Sequence, residues 1–152
     1  METGADHGSD HGHDARRRVS ATLVDSNVII DVASGDAEWF DWSQWRLTQA
    51  AERGALVINP IIYAEVAAGY DTIEALNEAL PPEFYTRAAL PWEAAFLAAK
   101  AFQQYRRRGG TKTSALPDFF IGAHAAFAGM TLLTRDARRY RTSFPKLRLI
   151  AP

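Results

Sequence analysis

The chain alternates short apolar runs with longer stretches in which apolar positions recur every three or four residues. Ala21-Thr-Leu-Val-Asp25, Ala55-Leu-Val-Ile-Asn59, Thr131-Leu-Leu-Thr134 and Leu147-Arg-Leu-Ile150 read as buried strands, with a shorter one over Phe84 to Ala88. Between them the periodicity predicts helices over Ser26–Ala33, over Glu38–Arg53 with Gly54 as the stop, and from Pro60 to about Ala68. Asp71-Thr-Ile-Glu74 has the spacing of a capping box, with Asp in the Ser/Thr place, and opens a helix to about Leu80 that Pro81-Pro82 breaks. Further helices run from Pro91 to about Arg107, from Pro117 to the stop at Gly129, and from Asp136 to about Arg141. Strands separated by helices imply βαβ units, hence an α/β fold with a central, mainly parallel sheet.

Residues 1–20 break the pattern. They are Gly, Asp, His and Arg with almost nothing apolar, too little to offset the entropy of ordering. They read as a disordered polar tail, leaving 21–152 as one domain. His7, His11 and His13 alternate with Asp6, Asp10 and Asp14, a set able to hold a stray transition metal, although a solvated tail is the plainer reading. His124 stands alone in a helical pattern and reads as a local hydrogen-bonder.

Composition narrows the class. A chain of 152 residues, 47% hydrophobic, can build one packed core without staples. The absence of cysteine excludes disulfides, thiolate zinc sites and cysteine nucleophiles, and suits a reducing compartment. No apolar run approaches the ~20 residues that span a bilayer, and the polar start does not resemble a secretory signal. A soluble cytoplasmic protein with no membrane association is expected.

Net charge is −1, but it is unevenly spread. Residues 1–100 hold 16 acidic and 7 basic residues; residues 101–152 hold 10 basic and 2 acidic ones. Such asymmetry points to a polyanionic partner such as nucleic acid, unless it is only an Arg-rich solvated surface. The two acids stranded in the basic half are Asp118 and Asp136.

In open parallel sheets, active sites form beyond the carboxyl ends of the strands. Asp25 ends the first strand. Glu65 lies one to two turns into the helix after the second, Asp118 in the first turn of the helix before Thr131–Thr134, and Asp136 two residues after that strand. Singly, each has a structural explanation: Asp25 and Asp136 as helix N-caps, Asp118 as a first-turn acid, Glu65 as an exposed helix residue. Four together repel one another, and a divalent cation removes the repulsion. Oxygen-only ligands favour Mg2+ or Mn2+, as one ion or as two roughly 3.5–4 Å apart, able to activate water against a phosphodiester.

These residues fall in familiar motifs. Leu23-Val-Asp25-Ser-Asn27-Val-Ile-Ile-Asp31, Asn59-Pro-Ile-Ile-Tyr-Ala-Glu65-Val, Leu116-Pro-Asp118-Phe-Phe-Ile-Gly-Ala-His-Ala and Leu132-Leu-Thr134-Arg-Asp136 resemble, in order and separation, the four motifs of PIN domains. The resemblance covers about residues 21–151. It implies a three-layer α/β/α PIN-like fold and, from the small stand-alone form, a likeness to VapC ribonuclease toxins of VapBC toxin–antitoxin modules. It further implies an Mg2+- or Mn2+-dependent endoribonuclease whose partners are an RNA substrate, a VapB-like antitoxin and a second copy in a homodimer. It carries metal ligation onto Asp25, Glu65, Asp118 and Asp136. Thr134 takes a supporting role in catalysis, Asn27 braces Asp25, and Asp31 is structural.

Arg106, Arg107, Arg108 and Lys112 flank Gly109-Gly110 just before Asp118. Arg135, Arg138, Arg139 and Arg141 surround Asp136. Of these, Arg106, Arg107, Arg108, Lys112 and Arg135 are the candidates for RNA-backbone contact, which gives affinity rather than sequence choice. Trp39, Trp42 and Trp45, with Phe40, crowd one helix, as core packing or as a groove for a partner segment. Two alternatives keep the fold: a non-toxin PIN nuclease acting on DNA or precursor RNA, and a catalytically silent RNA-binding module. A pure binder gains nothing by turning four negative charges towards an RNA backbone. A haloacid-dehalogenase phosphatase also begins with a strand-end Asp, but wants a second Asp where this chain has Asn27.

Overall fold

The computed structural model describes residues 21–112 and 116–152; the tail read over 1–20, with its three histidines, lies outside them. Five strands, β1 (Thr22–Val24), β2 (Leu56–Ile58), β3 (Tyr85–Arg87), β4 (Thr131–Leu133) and β5 (Leu149–Ile150), form one sheet. Every pairing in it is parallel, in the order β3-β2-β1-β4-β5. Among the described residues the flanking helices are α1 (Ser26–Ser34), α2 (Phe40–Arg53), α3 (Pro60–Ala67), α4 (Ile73–Ala79), α5 (Trp92–Arg107), α6 (Leu116–Ala128) and α7 (Arg138–Arg141). This is the three-layer α/β/α arrangement.

The three central strands β1, β2 and β4 are mostly apolar and buried, as the middle of a parallel sheet covered by helices requires, while the edge strands β3 and β5 are more open. Leu23, Val24, Leu56, Ile58, Leu132 and Leu133 are buried almost completely. Each contributes about 1.5–3 kcal/mol of burial free energy. From β1 the chain moves outward through β2 and β3, then returns to β1's other side for β4 and β5. Chain order reverses between β1 and β4, which opens a crevice beyond their carboxyl ends. Leu23 faces Leu132 and Val24 faces Leu133, so one step further along the register sets Asp25 beside Thr134.

The strands end earlier than the apolar runs because the next residue is spent on capping. Asp25 accepts the Ser26 N–H at the start of α1. Asn59 accepts the Ile62 N–H, and Pro60 follows in the first turn of α3, where no amide is needed. The capping box read at Asp71 is displaced by one residue: Thr72 caps α4, because its hydroxyl is the group that meets the Ala75 amide three residues on. Asp136 does not cap α7, which starts two residues later. Gly35 and Gly129, at φ +62° and +68°, close α1 and α6 in the left-handed region.

The tryptophan stripe is not the seam of the core. The buried face of α2 is Ser43, Leu47 and Ala50, at helical spacing. Trp42 packs against the core's edge and Trp45 is half exposed. Arg46 lies over the rings of both, and Arg135 over Trp39.

Candidate functional site

Asp25 forms the floor of the crevice. It is 2% exposed, yet three neutral donors reach its carboxylate. The Ser26 amide donates to Oδ1 at 2.8 Å; the Thr134 and Tyr140 hydroxyls donate to Oδ2, each at 2.8 Å. Burial, followed by the charge of Asp25, pushes the Tyr140 phenol well above its usual pKa, so it stays protonated and able to donate. Thr134 also accepts the Asp136 amide at 3.0 Å and Asn27 Nδ2 at 3.4 Å, while Asn27 Oδ1 accepts the Arg135 amide. Asn27 therefore holds the turn after β4 against the start of α1, reaching Asp25 through Thr134.

Above this floor the carboxylates face one another. Glu65 projects from α3 and accepts the Ser26 hydroxyl at 3.1 Å. Its pKa is raised, first by burial, then by Asp25 and further by Asp118. Asp118, from the first turn of α6, is likewise raised, chiefly by burial; Arg139 opposes the shift, while Asp25 and Asp136 add to it. Asp136 is open to solvent and pairs with Arg139 at 2.8 Å. Glu65, Asp118, Asp136 and Arg139 line a cleft of about 760 Å³, with Arg108 and Lys112 along its wall.

The basic residues divide. Arg106 lies over the ring of Phe102 and Arg107 is exposed on the same helix; neither lines the cleft. Arg135 is engaged within the fold. Its guanidinium makes two bonds to Asp31, Nε to Oδ2 at 2.9 Å and Nη2 to Oδ1 at 3.0 Å, and Ser43 gives Asp31 another at 2.7 Å. Asp31 is buried there and tied by three bonds.

Three contacts have no counterpart in the sequence reading. Tyr140 bonds Asp25, and its only trace was a tyrosine four residues after Asp136. Ser26 bridges Asp25 and Glu65, through its amide and its hydroxyl. His124 is not a local hydrogen-bonder: its Nδ1 meets Asn59 Nδ2 at 3.0 Å, joining α6 to the cap of α3. Asn59 Oδ1 already accepts an amide, so Nδ2 donates and His124 carries its proton on Nε2. Burial lowers the His124 pKa and favours that neutral form.

Among the described residues, no three acids or histidines stand close enough as they are to enclose an ion. The donor chemistry nonetheless fits one. Half-buried Glu65 and Asp118 are held up in pKa partly by the charge of their neighbours, a repulsion that a hard divalent cation relieves.

A family model described as PIN domain matches residues 22–145. No curated protein matches the chain in sequence. Among solved structures, VapBC2 from Rickettsia felis bound to a DNA fragment from their promoter superposes with a TM-score of 0.68 at 17% identity, over 86% of this chain and 98% of that one. VapBC-1 from nontypeable Haemophilus influenzae gives 0.66 at 18% identity, over 86% and 97%. A toxin–antitoxin complex from Klebsiella pneumoniae gives 0.61 at 23%, over 85% and 95%.

Proposed function

Since the chain belongs to the PIN domain family, a family of nucleases, we propose that it is an Mg2+- or Mn2+-dependent endoribonuclease and the toxin of a VapBC-type pair. The observation that carries this reading is the set of mutually repelling carboxylates: Glu65, Asp118 and Asp136 line a cleft with basic walls, and buried Asp25 is close enough to raise the pKa of Glu65 and Asp118. These four residues would hold a divalent cation, which would supply a water of lowered pKa and neutralise charge that builds on the phosphodiester.

The chain's own groups do the rest. Three hydrogen bonds leave Asp25 almost no freedom to turn, so it acts as the fixed ligand. Thr134 keeps it in place, Asn27 braces Thr134, and Ser26 aims Glu65 towards the same point. Arg108 and Lys112 hold the RNA backbone beside the carboxylates. Residues 21–152 act as one nuclease domain after a polar tail. No described helix is long and apolar enough to cross a membrane, and a cytoplasmic site of action fits the substrate.

Two partners complete the reading. The structures of similar fold are toxin–antitoxin complexes, which supports a VapB-like antitoxin, and the half-exposed tryptophan face of α2 suits its apolar segment. On α5, Trp92 is 89% exposed and Phe96 66%, an apolar surface fit for a homodimer.

The test is cleavage of total cellular RNA by purified protein in Mg2+, in Mn2+ and in EDTA, beside an Asp118→Asn/Asp136→Asn double variant. Discrete fragments that need the metal and vanish in the variant are expected, with a rate loss of at least about 100-fold. Equal cleavage by wild type and variant would sink the carboxylate mechanism; RNA binding without any cleavage would leave a binding module.

A further inference from the structure

One cation already stands among the proposed ligands. Arg139 Nε lies 2.8 Å from Asp136 Oδ2, and Nη1 lies 3.6 Å from Asp118 Oδ1. Its charge is felt as far as Glu65 and Asp25. This position is set by the backbone. Tyr140, the next residue, is fully buried with its hydroxyl on Asp25, so α7 is anchored to the floor of the site beside Arg139. Asp136, three residues earlier on the segment that leads into α7, is its partner at 2.8 Å.

A guanidinium in that place acts in two directions. It offsets the repulsion between Asp118 and Asp136, which keeps the acids together. It also repels any second cation approaching the same oxygens. The Arg139 side chain is 51% exposed, so it can leave the two acids without unpacking the core.

We propose that Arg139 is a displaceable internal counter-ion: its pairing with Asp118 and Asp136 competes with coordination of a divalent ion by those carboxylates, and so sets how tightly the ion binds. This rests on the reading of Asp118 and Asp136 as ion ligands. Once displaced, the planar fork of donors suits a phosphate oxygen pair better than a lysine would.

Calorimetric titration of Mn2+ alone into the full chain tests this without reference to cleavage. The samples are wild type, Arg139→Gln, Arg139→Lys and Asp118→Asn. Removing one positive charge beside a divalent ion near the surface is worth about tenfold, so Arg139→Gln is expected to bind Mn2+ about tenfold more tightly. Arg139→Lys keeps the charge and is expected to stay near wild type; if it matched the glutamine variant, mere loosening of the site would explain the gain and the proposal would fall. Unchanged or weaker binding by Arg139→Gln, with Asp118→Asn still losing the ion, would overturn the proposal and leave the carboxylate site standing. No binding by wild type, or full binding by Asp118→Asn, would bring down the underlying ligand reading instead.

Discussion

Arg135 and Arg139 stand four residues apart in one basic run, and each pairs with aspartate. Arg135 meets Asp31 through two bonds, under Trp39 and beside the Ser43 hydroxyl, and the acid is buried. Arg139 meets Asp136 through one bond and Asp118 through a looser contact, on side chains that open into the cleft. The difference divides the site into two halves. On the closed half, Asp25, Asn27, Asp31, Thr134, Arg135 and Tyr140 are hydrogen-bonded to one another and have little room to change partners. On the open half, Glu65, Asp118, Asp136 and Arg139 are held chiefly by charge, and charge can be exchanged for an ion or a phosphate. A pair's chemistry does not assign its role; burial does.

The contrast breaks most visibly at Asp31. Asp31→Ala strands the buried Ser43 hydroxyl and removes both bonds to Arg135. The Arg135 side chain is 32% exposed and can turn to water, so the loss is about 2–3 kcal/mol. Urea unfolding measures this directly; a loss under about 1 kcal/mol would mean that Arg135 is as loosely held as Arg139. Tyr140→Phe is the next largest. It removes one of three donors to a buried carboxylate and should cost about 1–3 kcal/mol, and the folded variant should also show weaker Mn2+ binding as Asp25 loosens. Unaltered stability would show that the phenol only fills space.

The smallest effect lies on the open half and appears with pH. Glu65 has a folded pKa above the usual value of 4.5, so the folded chain keeps a proton that the unfolded chain releases. The stability it contributes is present below the unfolded pKa and is lost as pH rises through the folded one. In EDTA, wild type should therefore lose more stability than Glu65→Gln across that window, and Mn2+ should restore the difference above it. Parallel Tm-against-pH curves for the two proteins would remove Glu65 from the repelling set.

Much of this was legible because it is local. Each strand and helix announces itself through apolar spacing, and the carboxyl-end rule is enough to bring Glu65, Asp118 and Asp136 to one cleft. Contacts between distant residues were not legible. Thr-Arg-Asp-Ala-Arg-Arg-Tyr presents Arg135 and Arg139 as equals, and only the fold turns one towards Asp31 and the other into the cleft. The same holds for His124, whose partner is 65 residues away. Nor does local spacing distinguish Asp71 from Thr72 as the cap of α4, since both are capping residues one position apart.

Gly122 lies one turn after Asp118 on α6, on the same side of the helix. A Cβ built there would stand 2.5 Å from the Phe144 ring and 3.1 Å from the Tyr140 ring. The bare backbone is thus a slot into which two aromatic rings are keyed, and it fixes the rotational phase of α6. A helix that cannot turn about its own axis cannot swing Asp118 out of the cleft. The aim of an acid in the first turn is set by a missing methyl group four residues away.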